Sequence, residues 1–221
     1  MSGIFSAFLL TFAGLFPIVN PIESAPFFFG LTASMTVAER NAMARSVAIN
    51  GFALLLGSMV LGPYLLELFG IRLPVVRIAG GFVVTALGWK LLTQEDWSDH
   101  PDSSDLPAAR GRGKIGSFYP LTMPLTVGPG SMSVAITIGS QRPKGITDLY
   151  ELAGVGGGAI AGLAAIALTV YLCYRFAERI VAVLGENGSN VLIRLSAFIL
   201  VCIGIQILWN GISSLPGIPT H

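Results

Sequence analysis

Long charge-free apolar runs, separated by short polar segments, make up most of this chain. Residues 1–22, 47–66, 115–141, 152–174 and 195–220 contain no Asp, Glu, Lys or Arg. A shorter run at 78–89 is bounded by Arg77 and Lys90, whose long side chains can reach the membrane surface. Because the hydrocarbon core of a bilayer needs about 20 mostly apolar residues to cross, the pattern predicts six membrane spans. They fall near residues 3–22, 46–67, 75–93, 117–139, 151–174 and 192–212.

The composition supports a polytopic membrane protein. Hydrophobic residues make up 53% of the chain and charged residues 11%, whereas a soluble domain has about 25% charged residues. A net charge of +1 argues against a nucleic-acid partner. With two histidines and two cysteines, we expect no metal cluster and no bound cofactor, beyond a coupling proton or cation.

The hydrophilic segment at 94–114 divides the chain into two halves. We predict a first three-helix repeat at 1–93, a linker at 94–114 and a second three-helix repeat at 115–221. Because three spans is an odd number, the second half would enter the membrane inverted, as in many secondary transporters. The segments VVRIAGGFVVTALGWKLL (75–92) and LIRLSAFILVCIGIQILW (192–209) correspond weakly, with Arg77 opposite Arg194. The predicted fold is therefore all-α, with six transmembrane helices in two inverted repeats.

The first span of each half is predicted to be broken. FPIVNPIESAPFFFGL (16–31) places Pro17, Asn20 and Pro21 inside an apolar run, and PLTMPLTVGPGS (120–131) does the same with several prolines and glycines. Proline removes a backbone donor and clashes with the preceding turn. Such breaks are tolerated in a membrane where they line a cavity or are buried in protein. Matching breaks in two halves point to a binding site, where a half-helix N-terminus suits a carboxylate.

We predict a substrate site formed by residues of both breaks. Asn20 is expected to cap the helix that starts at Pro21 and also to contact substrate. Glu23 either couples transport to protons or pairs with a substrate ammonium. The alternatives are that it lies at the membrane interface, or that it is a helix-start acid after Asn20. In the second half, close backbone approach at the glycines favours a site, with helix packing as the alternative. The predicted substrate-binding residues are Asn20, Pro21, Glu23, Thr126, Gly128, Pro129, Gly130 and Ser131.

Lys and Arg are distributed unevenly between the two sides of the predicted membrane. Nine of them lie in the segments on the side of the 94–114 linker, and four lie on the other side, at Arg72, Arg77, Arg142 and Lys144. The positive-inside rule makes the nine-residue side cytoplasmic. Both termini are then outside, and the linker is inside.

A row of small residues follows one face of the fifth span. Gly154, Gly158 and Gly162 are spaced at i, i+4, which allows close helix packing. The contact is predicted within the bundle or, alternatively, between the copies of a homo-oligomer.

Four segments together resemble the MarC family of inner-membrane proteins over essentially the whole chain. They are LFPIVNPIESAPFFFGLT, VVRIAGGFVVTALGWKLL, YPLTMPLTVGPGS and IRLSAF. The resemblance implies six spans, an inverted repeat and transport of small neutral amino acids such as glycine and alanine. Glu23 departs from the family pattern, in which glycine is frequent at this position, so the substrate preference is left open.

We therefore expect a secondary transporter of small neutral amino acids that works by alternating access in the inner membrane. An enzyme is not expected, since a catalytic motif such as G-x-S-x-G is lacking. The remaining alternatives are a small-molecule or drug efflux protein, a channel, and a non-transporting membrane scaffold.

Overall fold

The computed structural model describes residues 2–93, 116–119, 121–140 and 149–215, and the elements of regular secondary structure in these ranges are helices. The first half contains α1 (Ser2–Val19), α2 (Pro21–Leu31), α3 (Val37–Leu68) and α4 (Leu73–Thr93). The second half contains a π-helical turn (Leu121–Thr126), α5 (Pro129–Ser140), α6 (Leu149–Arg175) and α7 (Ala177–Ser213). The predicted linker at 94–114 lies outside the described residues.

Several of these helices are long and apolar enough to cross a membrane. Val37–Leu68, Leu73–Lys90 and Gly154–Arg175 qualify singly, and Gly3–Val19 with Pro21–Leu31 forms a fourth span if the pair, bent by 44°, is counted as one. These four coincide with predicted spans. The predicted spans at 117–139 and 192–212 fall on the π-helical turn with α5 and on the end of α7, where the apolar stretch Ala197–Ser213 is shorter. The count of six therefore stays a prediction.

Two helices extend into segments that the sequence pattern assigned to connections. α3 begins at Val37, well before the predicted span, because Thr36 and Glu39 form a capping box. The Thr36 hydroxyl accepts from the Glu39 amide at 3.3 Å, and the Thr36 amide donates to the Glu39 carboxylate at 2.9 Å. α7 begins at Ala177 and is interrupted at Gly185, whose φ of 62° and ψ of −179° only glycine adopts readily.

Several pairs of helices pack closely against each other in the bundle. α4 packs along α7, α1 along α6, and α3 against both α5 and α6. A Cβ placed on Gly81 would lie 2.7 Å from the Gly204 carbonyl, and one on Gly204 would lie 2.5 Å from the Thr85 amide. The backbones of α4 and α7 therefore approach as closely as small residues allow. These helices carry the two segments that correspond in sequence.

The glycine row of the fifth span is the seam between α6 and α1. A Cβ on Gly158 would lie 2.3 Å from the Ile4 carbonyl, and one on Gly162 would lie 3.0 Å from the Phe8 carbonyl. Gly154 faces Ile4 in the same way. The row thus packs against α1 within one chain, as the first of its two interpretations predicted. The homo-oligomer stays a prediction.

Apolar side chains cover the outside of the bundle as well as its interior. Phe5, Leu61, Phe82 and Trp89 are each at least 60% exposed. A soluble monomer rarely exposes so much continuous apolar surface. An all-helical bundle with an apolar exterior is the form that a membrane protein takes, because every backbone polar group in contact with lipid must be satisfied inside its own helix.

Candidate functional site

The first break lies at Asn20, between α1 and α2. Asn20 has φ 38° and ψ 66°, a left-handed conformation that asparagine tolerates better than most residues. Its amide still donates to the Phe16 carbonyl at 2.9 Å, and its carbonyl accepts from the Ser24 amide at 3.2 Å. Pro21 follows at the first helical position, where its missing N–H costs nothing. One residue thus bends the chain, and the helix resumes at once.

The predicted cap at Asn20 is wrong in one respect. Asn20 occupies the N-cap position, but its side chain makes no hydrogen bond to the first turn of the α2 backbone. Its Nδ2 instead donates to the Glu23 carboxyl oxygen. The left-handed backbone of Asn20 accounts for this, since side-chain capping normally requires an extended N-cap residue.

Glu23 is enclosed by protein. It is 5% exposed and lies in the first turn of α2. Asn20 is its hydrogen-bond partner, and among the described residues the one ion pair is Arg40 with Glu178, so no described cation neutralises Glu23. The interfacial alternative would leave this carboxyl in contact with solvent or headgroups. Burial inside the bundle argues against the interfacial alternative, whereas the position of Glu23 in the first turn of α2 fits a helix-start acid. A functional role for Glu23 stays a prediction.

The second break extends from the π-helical turn to the start of α5. Met123 has φ −119° and ψ 124°, so the helix is interrupted there, and α5 starts at Pro129. The Gly128 carbonyl accepts from the Met132 amide at 3.1 Å and from the Ser131 hydroxyl at 2.9 Å. The Asn20 carbonyl likewise accepts from both the amide and the hydroxyl of Ser24. Each break therefore has the same design, with a proline at the first helical position and a serine hydroxyl on the preceding carbonyl.

Tyr174 on α6 connects the two breaks. Its side chain is completely buried, and its ring stacks on Phe28 of α2 with centroids 4.3 Å apart. Its hydroxyl lies 2.7 Å from the Thr126 hydroxyl, and the Ser24 side chain lies close to it. Glu23, Asn20, Ser24, Tyr174 and Thr126 thus form one chain of polar contacts, which we call the polar bridge.

The hydrogens of the polar bridge can be assigned from its geometry. Thr126 has one hydroxyl proton, which points to the Leu121 carbonyl at 2.7 Å, so Tyr174 must donate to Thr126. The Ser24 hydroxyl donates its own proton to the Asn20 carbonyl at 3.1 Å. The Asn20 carbonyl at the break therefore accepts from both the amide and the hydroxyl of Ser24.

The predicted site residues take different places around these breaks. Asn20, Glu23 and Thr126 belong to the polar bridge, and Pro21 and Pro129 begin the two helices. Gly128 and Ser131 bond to each other within one turn. Gly130 is a packing residue, since a Cβ there would lie 2.5 Å from Val84 Cγ2 of α4. The structure thus joins Asn20 to Glu23 directly and brings Thr126 to the same bridge only through Tyr174.

Sequence reasoning missed Tyr174, the residue that joins the breaks. It lies at the end of a predicted span, where tyrosine is ordinarily an interfacial residue. A signal was available in principle, because a buried tyrosine hydroxyl needs a polar partner. The partner itself depends on how α6 packs against α2, which the sequence alone does not specify.

The polar bridge is closed to ligands in this conformation. A void of about 10 Å³ lies beside it, lined by Thr126 and by apolar residues that include Val19 and Gly51. That is room for about one water molecule. Binding of an amino acid here requires the helices around the breaks to separate.

A larger cavity of about 580 Å³ lies on the other side of α1. α1 contributes Leu10, Ala13, Gly14 and Pro17 to its wall, α5 contributes Val134, Thr137 and Ile138, and α4 and α7 supply the rest. The cavity is mostly apolar, and its polar side chains are Arg77, Thr137, Asn210, Ser213 and Ser214. None of the eight predicted site residues lines it, although Pro17 lies one turn before the first break.

The described residues contain no group of three or more His, Cys, Asp or Glu side chains that could hold a metal.

An all-helical bundle with an apolar exterior and two interrupted helices defines an integral membrane protein. The model of the MarC family, described as integral membrane proteins, matches residues 5–215. This chain belongs to the MarC family.

The relatives agree over nearly the full length. The inner membrane protein MarC of Escherichia coli O1:K1 is 32% identical over 220 residues, covering 96% of each chain. The protein of the same name from Salmonella paratyphi B is 31% identical over 216 residues, with the same coverage. No solved structure matches this chain.

Proposed function

We propose that this protein is a secondary transporter of small neutral amino acids, working by alternating access in the inner membrane. The observation that carries the proposal is the polar bridge, in which two interrupted helices from the two halves meet through Tyr174. Interrupted helices supply bare backbone groups and partial charges of the kind that hold a small zwitterion. The glycine-rich, enclosed surroundings favour a small ligand.

The proposal includes six spans arranged as two inverted repeats. Two features support this arrangement beyond the weak sequence correspondence. Both breaks have a proline at the first helical position and a serine on the preceding carbonyl. The corresponding helices α4 and α7 pack tightly on each other, with glycines on both sides of the contact.

The proposed orientation has both termini outside and the 94–114 linker in the cytoplasm. Two contacts fit it, because Arg40 pairs with Glu178 and Arg77 bonds to Ser214. Those contacts join segments that the charge rule places on the same side of the membrane.

The orientation is tested with variants that lack Cys173 and Cys202 and carry one new cysteine in place of exposed Ser34 or Ile71. An impermeant maleimide should label Ile71→Cys in intact cells and Ser34→Cys only after permeabilisation, and the reverse pattern would invert the topology.

The transport proposal is tested with purified protein. A thermal-shift screen against the amino acids should identify a stabilising ligand, and radiolabelled uptake into proteoliposomes, with and without a pH gradient, should show flux of the same compound. Thr126→Val keeps the shape of the side chain while removing the hydroxyl, so it should reduce flux. If no amino acid stabilises or crosses the membrane, the proposal is wrong.

The open cavity favours a second candidate, efflux of a larger small molecule. A cavity of about 580 Å³ with mainly apolar walls is in the range that holds drug-sized ligands. Competition of hydrophobic drugs with amino-acid uptake, and accumulation of those drugs in cells lacking the protein, would distinguish the two. The Gly154 row, the main argument for a scaffold, packs against α1 within the chain, so it does not by itself favour that alternative.

A further inference from the structure

Arg77 faces the large cavity from the beginning of α4. The cavity is lined there by Arg77 together with Asn210, Ser213 and Ser214 from the end of α7. The guanidinium donates to the Ser214 hydroxyl at 3.3 Å, and that hydroxyl donates to the Asn210 carbonyl at 2.6 Å. The polar side chains are thus gathered at one end of an otherwise apolar chamber.

Arg77 has no acidic partner among the described residues, where the one ion pair is Arg40 with Glu178. Arginine stays protonated in proteins and presents five N–H donors in a planar fork that matches a carboxylate. Ser214 uses one of those donors. Arg77 lies at the end of its span and is half-buried, so the remaining N–H donors of its guanidinium at the open cavity are available to an oxyanion.

The cavity leads from Arg77 toward both breaks. Its α1 wall consists of Leu10, Ala13, Gly14 and Pro17, which follow one face of the helix at i, i+3, i+4 and i+7 and end one turn before Asn20. Its α5 wall belongs to the helix that starts at the second break. A ligand held at Arg77 therefore lies between the two helices that must move for the polar bridge to open.

We propose that Arg77, with Ser214 and Asn210 beside it, binds the carboxylate of the substrate on its way to the breaks. This inference rests on the proposed transport function for its role, although the carboxylate site itself can be tested separately. The same donors would suit the phosphate of a lipid headgroup, so the experiment must distinguish these two sources of an oxyanion.

Binding is tested by thermal unfolding of the purified full chain with glycine and with glycinamide, which has the amine but lacks the carboxylate. Glycine should stabilise the wild type more than glycinamide does. Arg77→Gln should abolish the difference, and Arg77→Lys and Ser214→Ala should reduce it. Arg72→Gln, which removes a cation from the exposed segment before α4, is the matched control and should behave as wild type.

Transport gives the second measurement. Loss of a charge-assisted hydrogen bond to a carboxylate should raise the KM for glycine by about tenfold or more in Arg77→Gln, with kcat changed much less. Arg77→Lys should lie between that variant and wild type, and it keeps the test valid if Arg77→Gln is poorly folded.

The outcomes separate the carboxylate site from the transport proposal. If glycine stabilises the protein through Arg77 but no flux occurs, the site stands and the transport proposal fails. The inference is overturned if glycine and glycinamide act alike on the wild type, or if Arg77→Gln keeps the wild-type preference and KM. It is also overturned if phosphatidylglycerol, and not glycine, gives the stabilisation that depends on Arg77.

Discussion

At the scale of single residues, Tyr174 contacts both interrupted segments. It brings a ring to Phe28 and a hydroxyl to Thr126 and Ser24, and it is completely buried. The ring alone would fill the space, as phenylalanine could. The ring packs on the helix after the first break, and the hydroxyl adds a hydrogen bond to Thr126 at the second break.

Replacing Tyr174 by phenylalanine should therefore lower stability and transport without changing the packing of the ring. The loss of a buried hydrogen bond costs about 1 kcal/mol, which should appear as a lower midpoint of thermal unfolding in detergent. Tyr171→Phe is a matched control, since the Tyr171 hydroxyl accepts from exposed Arg175 at 3.0 Å. Equal midpoints for the two variants would mean that the polar bridge contributes nothing.

Glu23 is the second residue with a specific prediction. In Glu23→Gln the side chain keeps its volume and an oxygen that can accept from Asn20, but it can no longer take up and release a proton. We expect the protein to fold and uptake to lose its dependence on pH. Glu67→Gln removes an exposed carboxyl from the end of α3 and should leave the pH profile unchanged. A wild-type profile in Glu23→Gln proteoliposomes would exclude a coupling role.

At the scale of helices, glycines determine how closely the elements pack. Gly158 and its neighbour Gly157 lie on the same helix and differ in what surrounds them. A Cβ at Gly158 would lie 2.3 Å from the Ile4 carbonyl, whereas nothing lies within 4 Å of one at Gly157. The two positions therefore separate the effect of packing from that of helix propensity.

Gly158→Ala should push α6 away from α1 and destabilise the bundle by about 1 to 3 kcal/mol, the usual cost of overpacking. Gly157→Ala should be neutral or slightly stabilising, because alanine favours helix more than glycine does. Thermal unfolding of both variants measures the difference. If Gly158→Ala is as stable as Gly157→Ala, the close seam between α1 and α6 is wrong.

The sequence predicted elements best where local chemistry decides them. Both breaks are located correctly at Pro21 and Pro129, which begin helices. Proline alone does not decide them, because Pro17, expected in the first break, and Pro26 lie inside helices. The early start of α3 followed from a capping box at Thr36 that lies outside the apolar run, so hydrophobicity alone missed it. Tyr174, the packing role of Gly130 and the cavity at Arg77 depend on contacts between distant segments, and no local pattern encodes them.

At the scale of the whole molecule, the two halves are joined by different contacts at the two ends of the bundle. At one end, Arg77 of α4 bonds to Ser214 beyond α7. At the other, Arg40 of α3 pairs with Glu178 of α7 at 3.2 Å and lies 4.7 Å above the ring of Phe29 in α2. The large cavity lies at the Arg77 end. Under the proposed function, the Arg40 contacts hold the opposite end closed and would have to break for substrate to pass.

Removing Arg40 should cost more stability than removing its partner Glu178. The Arg40 side chain is 11% exposed and that of Glu178 is 65% exposed, so solvent screens the ion pair and its coupling should be below about 1 kcal/mol. Arg40→Gln loses in addition the contact with the Phe29 ring and should lower the unfolding midpoint more than Glu178→Gln does. Arg45→Gln, an exposed arginine on the same helix, is the control. A double-mutant cycle measures the coupling free energy between Arg40 and Glu178. Equal decreases of the unfolding midpoint in the two single variants would show that the Phe29 contact contributes no stability. The ion pair alone would then stabilise this end of the bundle.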